Sequence, residues 1–162
     1  MLVDPDQCVG CLLCETACSD YHEERLQPSE SRVRVVSWDL TDVDVPVLCV
    51  HCTDPPCAEA CPVDAFYRSR ETGAVMIDYG KCIGCRICVT ACPLGGIFID
   101  PETLSVIKCD ACDGKPECVE ICPTDALEYV KADGLPPIKR REHAERIPAQ
   151  MGEDYSEGAS SG

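Results

Sequence analysis

Cys82-Ile-Gly-Cys-Arg-Ile-Cys88-Val-Thr-Ala-Cys92-Pro93 decides how the rest of the chain is read. Its spacing is C-x2-C-x2-C-x3-C-P, a run of four thiols that suits [4Fe–4S] ligation. Three cysteines on a tight loop can cap three irons of one cubane. The fourth, a helical turn further on, faces the other way, toward a neighbouring cluster. Pro93 then stops the helix that carries Cys92. Zinc would instead favour two separated Cys-x2-Cys knuckles.

Three more groups accompany this one. Group one is Cys8, Cys11, Cys14 and Cys18, and group two is Cys49, Cys52, Cys57 and Cys61. Group three is Cys82, Cys85, Cys88 and Cys92, and group four is Cys109, Cys112, Cys118 and Cys122. Groups one and three share the tight spacing; groups two and four are looser between their second and third cysteines. All sixteen cysteines fall in a group. The alternation is an internal repeat. Val3-Asp4 precedes Cys8 as Ile77-Asp78 precedes Cys82, and Cys61-Pro-Val-Asp-Ala-Phe66 echoes Cys122-Pro-Thr-Asp-Ala-Leu127. Residues 2–67 and 76–128 therefore read as two versions of one unit.

Composition narrows the alternatives. Leu, Ile, Val and Phe make up about 22% of the 162 residues, enough for only a thin core. The start, Met-Leu-Val-Asp-Pro-Asp-Gln, has neither the basic nor the apolar region of a secretory signal, and no apolar run reaches the length of a membrane span. A cytoplasmic chain is expected, where disulfides rarely persist. The net charge is −15, and 23 acidic against 9 basic side chains lie within residues 1–130. Such a surface disfavours nucleic acid, which needs a basic patch, and suits a basic protein partner.

Regular structure should be short. Glu15–Glu24 is expected to continue as a helix from the first group, ending before Pro28. Arg32–Trp38 reads as a strand. Ala65–Arg68 with Ala74–Asp78, and Ile97–Asp100 with Ser105–Lys108, read as hairpins. Leu2–Asp4 and Leu127–Val130 are expected as further strands. The expected organisation is a four-cluster domain over residues 1–130 and a C-terminal tail over 131–162. One module carries the groups at 8–18 and 109–122, and a second carries those at 49–61 and 82–92. In the tail, Ala-Asp-Gly-Leu-Pro-Pro reads as a linker and Ile138–Gln150, with Lys139, Arg140, Arg141 and Arg146, as a short basic helix. The last ~10 residues have the composition of disorder. Set against an acidic body, the basic stretch is expected to dock on a partner or on another copy of the chain.

Sixteen thiolates make four complete ligand sets, and a cubane needs one ligand on each iron. Four [4Fe–4S] clusters would use every cysteine, with no iron left open to a substrate. That favours electron transfer over catalysis. Two pairings are compatible with the repeat. In a nested scheme group one exchanges its fourth cysteine with group four, and group two with group three. In the other, neighbouring groups exchange. Gly10 and Gly84 would let backbone N–H groups approach the sulfides. His51 is a weaker candidate iron ligand than the cysteines around it. Tyr21, His22, Trp38 and Tyr79 read as packing residues rather than electron relays. No G-x-G-x-x-G, P-loop or G-x-S-x-G occurs, so a nucleotide or catalytic serine site is not expected. A zinc-stabilised interaction module is the alternative of another class.

Over residues 2–130 the chain resembles the four-cluster ferredoxin-like (polyferredoxin) electron-transfer subunits of molybdenum and tungsten oxidoreductases. The resemblance is carried by Cys49-Val-His-Cys-Thr-Asp-Pro-Pro-Cys-Ala-Glu-Ala-Cys-Pro62 and Val106-Ile-Lys-Cys-Asp-Ala-Cys112. It implies an α+β, duplicated bacterial-type 2[4Fe–4S] ferredoxin fold with short hairpins and helices, here with an extended C-terminal tail. It also implies the nested ligand sets. These are Cys8, Cys11, Cys14 and Cys122; Cys109, Cys112, Cys118 and Cys18; Cys49, Cys52, Cys57 and Cys92; and Cys82, Cys85, Cys88 and Cys61. The segment Cys18-Ser-Asp-Tyr-His-Glu-Glu-Arg-Leu-Gln-Pro-Ser-Glu-Ser-Arg-Val-Arg-Val35 is similar to the small iron–sulfur subunit of bacterial tungsten aldehyde oxidoreductases. That resemblance implies a large tungsten- or molybdenum-pterin subunit that oxidises aldehydes to acids. It also implies an outlet for electrons in a flavin/NAD subunit or a ferredoxin. Polyferredoxins of benzoyl-CoA reductase, hydrogenase and CO dehydrogenase systems are the competing resemblance. Ser19 departs from the pattern, standing where a proline usually follows the first group.

Overall fold

Four two-stranded antiparallel sheets and four helices frame the cysteines in the computed structural model, which describes residues 1–38 and 43–130. The linker, helix and docking expectations for 131–162 lie outside the described residues. Strand β1 (Leu2–Val3) leads to helix α1 (Leu13–Glu23), then to β2 (Val33–Trp38) and β3 (Val43–Leu48). Next come α2 (Pro56–Glu59), β4 (Phe66–Arg68), β5 (Val75–Ile77) and α3 (Ile87–Ala91). The hairpin of β6 (Ile97–Ile99) and β7 (Val106–Lys108), helix α4 (Glu117–Glu120) and β8 (Leu127–Glu128) complete the order. None of the described helices is long and apolar enough to cross a membrane.

The sheets decide which cysteine groups meet. Strand β1 pairs with β8 at the far end of the unit, with Val3 opposite Leu127, and Asp4 N–H donates to Ala126 O at 2.9 Å. This brings the start of group one to the end of group four. Strands β4 and β5 make the equivalent pair, with Phe66 opposite Ile77, and Asp78 N–H donates to Ala65 O at 2.7 Å. That brings the end of group two to the start of group three. The helices follow the same rule: α1 packs on α4, and α2 on α3.

Each cysteine-bearing helix is short for a local reason. Cys92 caps α3 and Pro93 prevents another turn. At the matching place after Cys18 stands Ser19, and α1 runs on to Glu23, where Glu24 ends it in the left-handed conformation. The helix therefore begins two residues before the expected Glu15 and ends where expected, short of Pro28. Its extra turn carries His22 toward group four; in the first turn Glu15 is buried, with Oε1 accepting from Val35 N–H at 2.6 Å.

Burial is divided between two small clusters, and cysteines belong to both. One gathers Val33, Leu48 and Leu127 with Cys14, Cys18, Cys109 and Cys118. The other gathers Ile77, Ile97 and Val106 with Cys57 and Cys88. The thin core expected from composition is therefore built partly from thiols. Strand β3 was not expected, because Asp44 and Pro46 interrupt its apolar pattern. In a two-stranded ribbon a proline is tolerated on the open edge, and Pro46 sits opposite Val35. Tyr21, Trp38 and Tyr79 are about half exposed, so the packing role expected for them holds only in part.

The loop after group three lies against the backbone that enters group two. A Cβ on Gly96 would stand 2.5 Å from Leu48 O and 2.7 Å from Cys49 N, both backbone atoms. Gly96→Ala should therefore destabilise the protein by about 1–3 kcal/mol, measured as a lower urea midpoint at unchanged m-value. Because thiols make up so much of each core, chelation with oxidation should abolish the cooperative transition. Retained native circular dichroism in the metal-free chain would contradict that.

Candidate metal centre

None of the sixteen cysteines is joined in a disulfide, and their loops share one backbone design. Gly10 and Gly84 have φ of +63° and +68°, and two residues later Leu12 and Arg86 have +60° and +62°. Alternating left-handed residues turn successive N–H groups inward, a concavity suited to anionic sulfur. Non-glycine residues adopt that conformation reluctantly, so its recurrence marks a constrained loop. The loose groups also recur. His51 and Ala111, each two residues after the first cysteine, have φ of +55° and +63°. Asp64 and Asp125, each three residues after the fourth, have +48° and +56°.

Two of the ligand sets are gathered around cavities. Cys61, Cys82, Cys85 and Cys88 line one, walled by Ala65, Phe66, Ile77, Ile83 and Val106. Cys49, Cys52, Cys57 and Cys92 line the other, walled by Leu48, Pro55, Pro56, Val75 and Ile97. The remaining cysteines are grouped by mutual electrostatics. Cys8 feels Cys11 and Cys122, and Cys14 feels Cys8 and Cys11. Cys118 feels Cys109, Cys18 and Cys112. Contacts also run between sets: Cys118 feels Cys14, and Cys109 feels Cys49. Cys11 and Cys85 are exposed, whereas Cys18, Cys109, Cys112 and Cys118 are all buried.

Buried together, these sulfurs resist losing their protons. Burial pushes Cys14 and Cys109 up to about 12 and Cys57 and Cys112 up to about 11. Cys118 is raised further for the same reason, with neighbouring thiolates adding to it. A cationic iron centre replaces those protons and satisfies four soft sulfur donors at once. Backbone N–H groups already point at sulfur. Arg32 N–H donates to Cys18 Sγ at 3.3 Å, Ala65 to Cys61 Sγ at 3.3 Å, and Ala111 to Cys109 Sγ at 3.4 Å. Bonds of this kind stabilise the more negative, reduced form of a cluster.

The histidines support the cysteines without replacing them. His51 Nδ1 accepts from Val75 N–H at 3.1 Å, so its ring proton sits on Nε2. Burial holds its pKa down to about 3, with the Lys108 ammonium adding to the effect. His51 Nε2 is buried and has no hydrogen-bond partner. The Cys49–Cys52 segment thus holds a donor for which the chain supplies no acceptor, which fits a sulfide-bearing group. His22 Nε2 lies 3.4 Å from Asp110 Oδ1 and 4.0 Å from Cys112 Sγ, a constellation that could hold a single metal ion. Asp110 is already paired with Arg32 at 2.5 Å, and Cys112 belongs with the thiols of group four. The trio is better read as a brace beside that set. Its signal in the sequence was the missing proline at Ser19, which lengthens α1 as far as His22.

Residues 41–132 match the family model described as a 4Fe-4S dicluster domain, and residues 5–21 match a 4Fe-4S binding domain. The chain is 44% identical over 139 residues to the polyferredoxin-like subunit of an aliphatic sulfonate oxidoreductase of Pyrococcus furiosus, covering 84% of this chain and 80% of that protein. It is 37% identical over 146 residues to the thiosulfate reductase electron transfer subunit PhsB of Salmonella typhi, covering 82% and 76%. To one subunit of the anaerobic dimethyl sulfoxide reductase of Escherichia coli it is 35% identical over 163 residues, covering 88% and 76%.

The cavity walls and strand pairs yield a test of ligand sharing. Cys61→Ala and Cys85→Ala should each perturb the same cluster signal in the electron paramagnetic resonance spectrum. The double variant should then lose no more iron than the worse single one. Additive loss, equal to two clusters, would mean that these cysteines serve different sites.

Proposed function

Because the chain belongs to the 4Fe–4S dicluster family of polyferredoxin-like electron-transfer subunits, we propose that its sixteen thiolates hold four [4Fe–4S] clusters in the nested sets. The observation that carries this reading is the pairing of β1 with β8 and of β4 with β5, which delivers each fourth cysteine to the other group of its pair. The recurring left-handed residues at equal offsets support a duplicated ferredoxin unit. When bound, the clusters take up and release single electrons. The chain's own residues hold the thiolates apart, exclude water around the inner sets and present N–H donors to sulfur.

The sets form a series. Cys14 and Cys118 link the first to the second, Cys109 and Cys49 the second to the third, and Cys57 and Cys88 share a core between the third and fourth. The first and fourth each reach the surface, through Cys11 and Cys85. A line of sites with an exposed cysteine in each end set and none in the two middle sets suits a wire between two partners. The substrate would be transformed in another subunit.

The proposed partner at one end is a large tungsten- or molybdenum-pterin subunit that oxidises an aldehyde to its acid. The outlet at the other is a flavin/NAD subunit or a ferredoxin. The segment Cys18–Val35 supports the aldehyde reading. The relative from Pyrococcus furiosus favours a second one, in which the large subunit acts on an aliphatic sulfonate.

Anaerobically purified protein should contain about 16 iron and about 16 sulfide per chain, four cubanes' worth. Two clusters or fewer, or colourless protein with stoichiometric zinc, would defeat the four-cluster proposal. In the native complex, adding aldehyde or sulfonate should bleach the visible absorbance of this chain's clusters, and whichever substrate does so identifies the partner's reaction.

A further inference from the structure

Lys108 is the one lysine among the buried residues, 3% exposed at the end of β7, where the pattern Val-Ile-Lys leads directly into Cys109. Its Nζ donates to Val75 O on β5 and to Cys109 O, the latter at 2.7 Å. Among the described residues no carboxylate pairs with it; the ion pairs there involve His22, Arg25, Arg32 and Lys81. A buried ammonium without a counter-ion is costly, so its compensating charge must come from elsewhere. The two carbonyl partners of Lys108 belong to Cys109 itself and to Val75, which walls the cavity that Cys49, Cys52, Cys57 and Cys92 line.

The position is not dictated by packing. The residue just before Cys49, the counterpart of Lys108 just before Cys109, is Leu48, 2% exposed. One half of the unit fills this place with an apolar side chain and the other with a cation. Cys57 belongs to the third ligand set and Cys109 to the second, so the ammonium stands where those two sets adjoin.

Resting on the nested four-cluster reading, we infer that Lys108 is a positioning residue for charge: its ammonium, at the seam between the second and third cluster sites, favours the reduced form of the two inner clusters. Reduction adds one negative charge to a cluster and its four thiolates, and a fixed cation at close range in a low-dielectric interior offsets it. The two outer sites, at Cys11 and Cys85, lie open to solvent and have less to gain from this cation. An electron entering at either end is thereby held in the middle of the series.

The test uses the full chain with its clusters, purified anaerobically, in wild-type, Lys108→Gln and Lys108→Arg forms, followed by redox titration with electron paramagnetic resonance. Gln keeps N–H donors for the two carbonyls and removes the charge; Arg keeps the charge. In Lys108→Gln, two of the four clusters should shift to lower midpoint potential while the other two stay in place, and Lys108→Arg should remain near wild type. Loss of iron from Lys108→Gln alone, with Lys108→Arg intact, also counts for the proposal. Unmoved potentials in Lys108→Gln, a uniform shift of all clusters, or equal changes in the two variants would overturn it. An iron count short of four clusters in the wild type would instead remove the reading it rests on.

Discussion

Thiols forced together in apolar surroundings are the constraint from which the rest of the structure follows. Burial, as the largest cause, pushes several of them to about 11 or 12, so four thiolates without a metal do not make a comfortable interior. A metal centre resolves the conflict by bringing its own positive charge. The chain then needs little hydrophobic burial of its own, and its two apolar clusters are small and shared with cysteine side chains. Short strands and helices of one to three turns are enough when their task is to aim sulfur atoms.

The same economy shapes the electrostatics. The chain is strongly acidic, and added electrons must be accommodated against that background. Backbone N–H donors at Cys18, Cys61 and Cys109 supply positive dipoles locally, at the sulfur itself. Arg32 braces Asp110 at 2.5 Å and donates its own N–H to Cys18, so one residue serves both a structural ion pair and a ligand. Lys108 is the buried side-chain counterpart of these backbone donors.

Much of this was legible in the residues. Cysteine spacing marked the four groups, and the Asp-before-Cys and Cys-Pro-x-Asp-Ala echoes anticipated the two equivalent strand pairs. Both hairpins and the helix after Cys14 formed within a residue or two of their expected limits. What escaped notice depended on tertiary context. Strand β3 hid behind Asp44 and Pro46, because a proline argues against a strand unless its edge is open. Leu12 and Arg86 give no sign in a one-letter string that their backbones are left-handed. Lys108 stood only as the last residue of a hairpin strand, since nothing local says that Val75 O and Cys109 O will accept from its Nζ.

Strand β1 is made among the first residues of the chain, and its partner β8 among the last of the unit. During synthesis the inner half, from Cys49 to Cys92, has all its own pieces available while Cys8, Cys11 and Cys14 still lack theirs. On the nested pairing the inner half can be completed first, and the earliest-made thiols wait for their fourth partner until Cys122 emerges. A nascent chain stalled before that point would carry a finished centre and a bare, oxygen-sensitive front end.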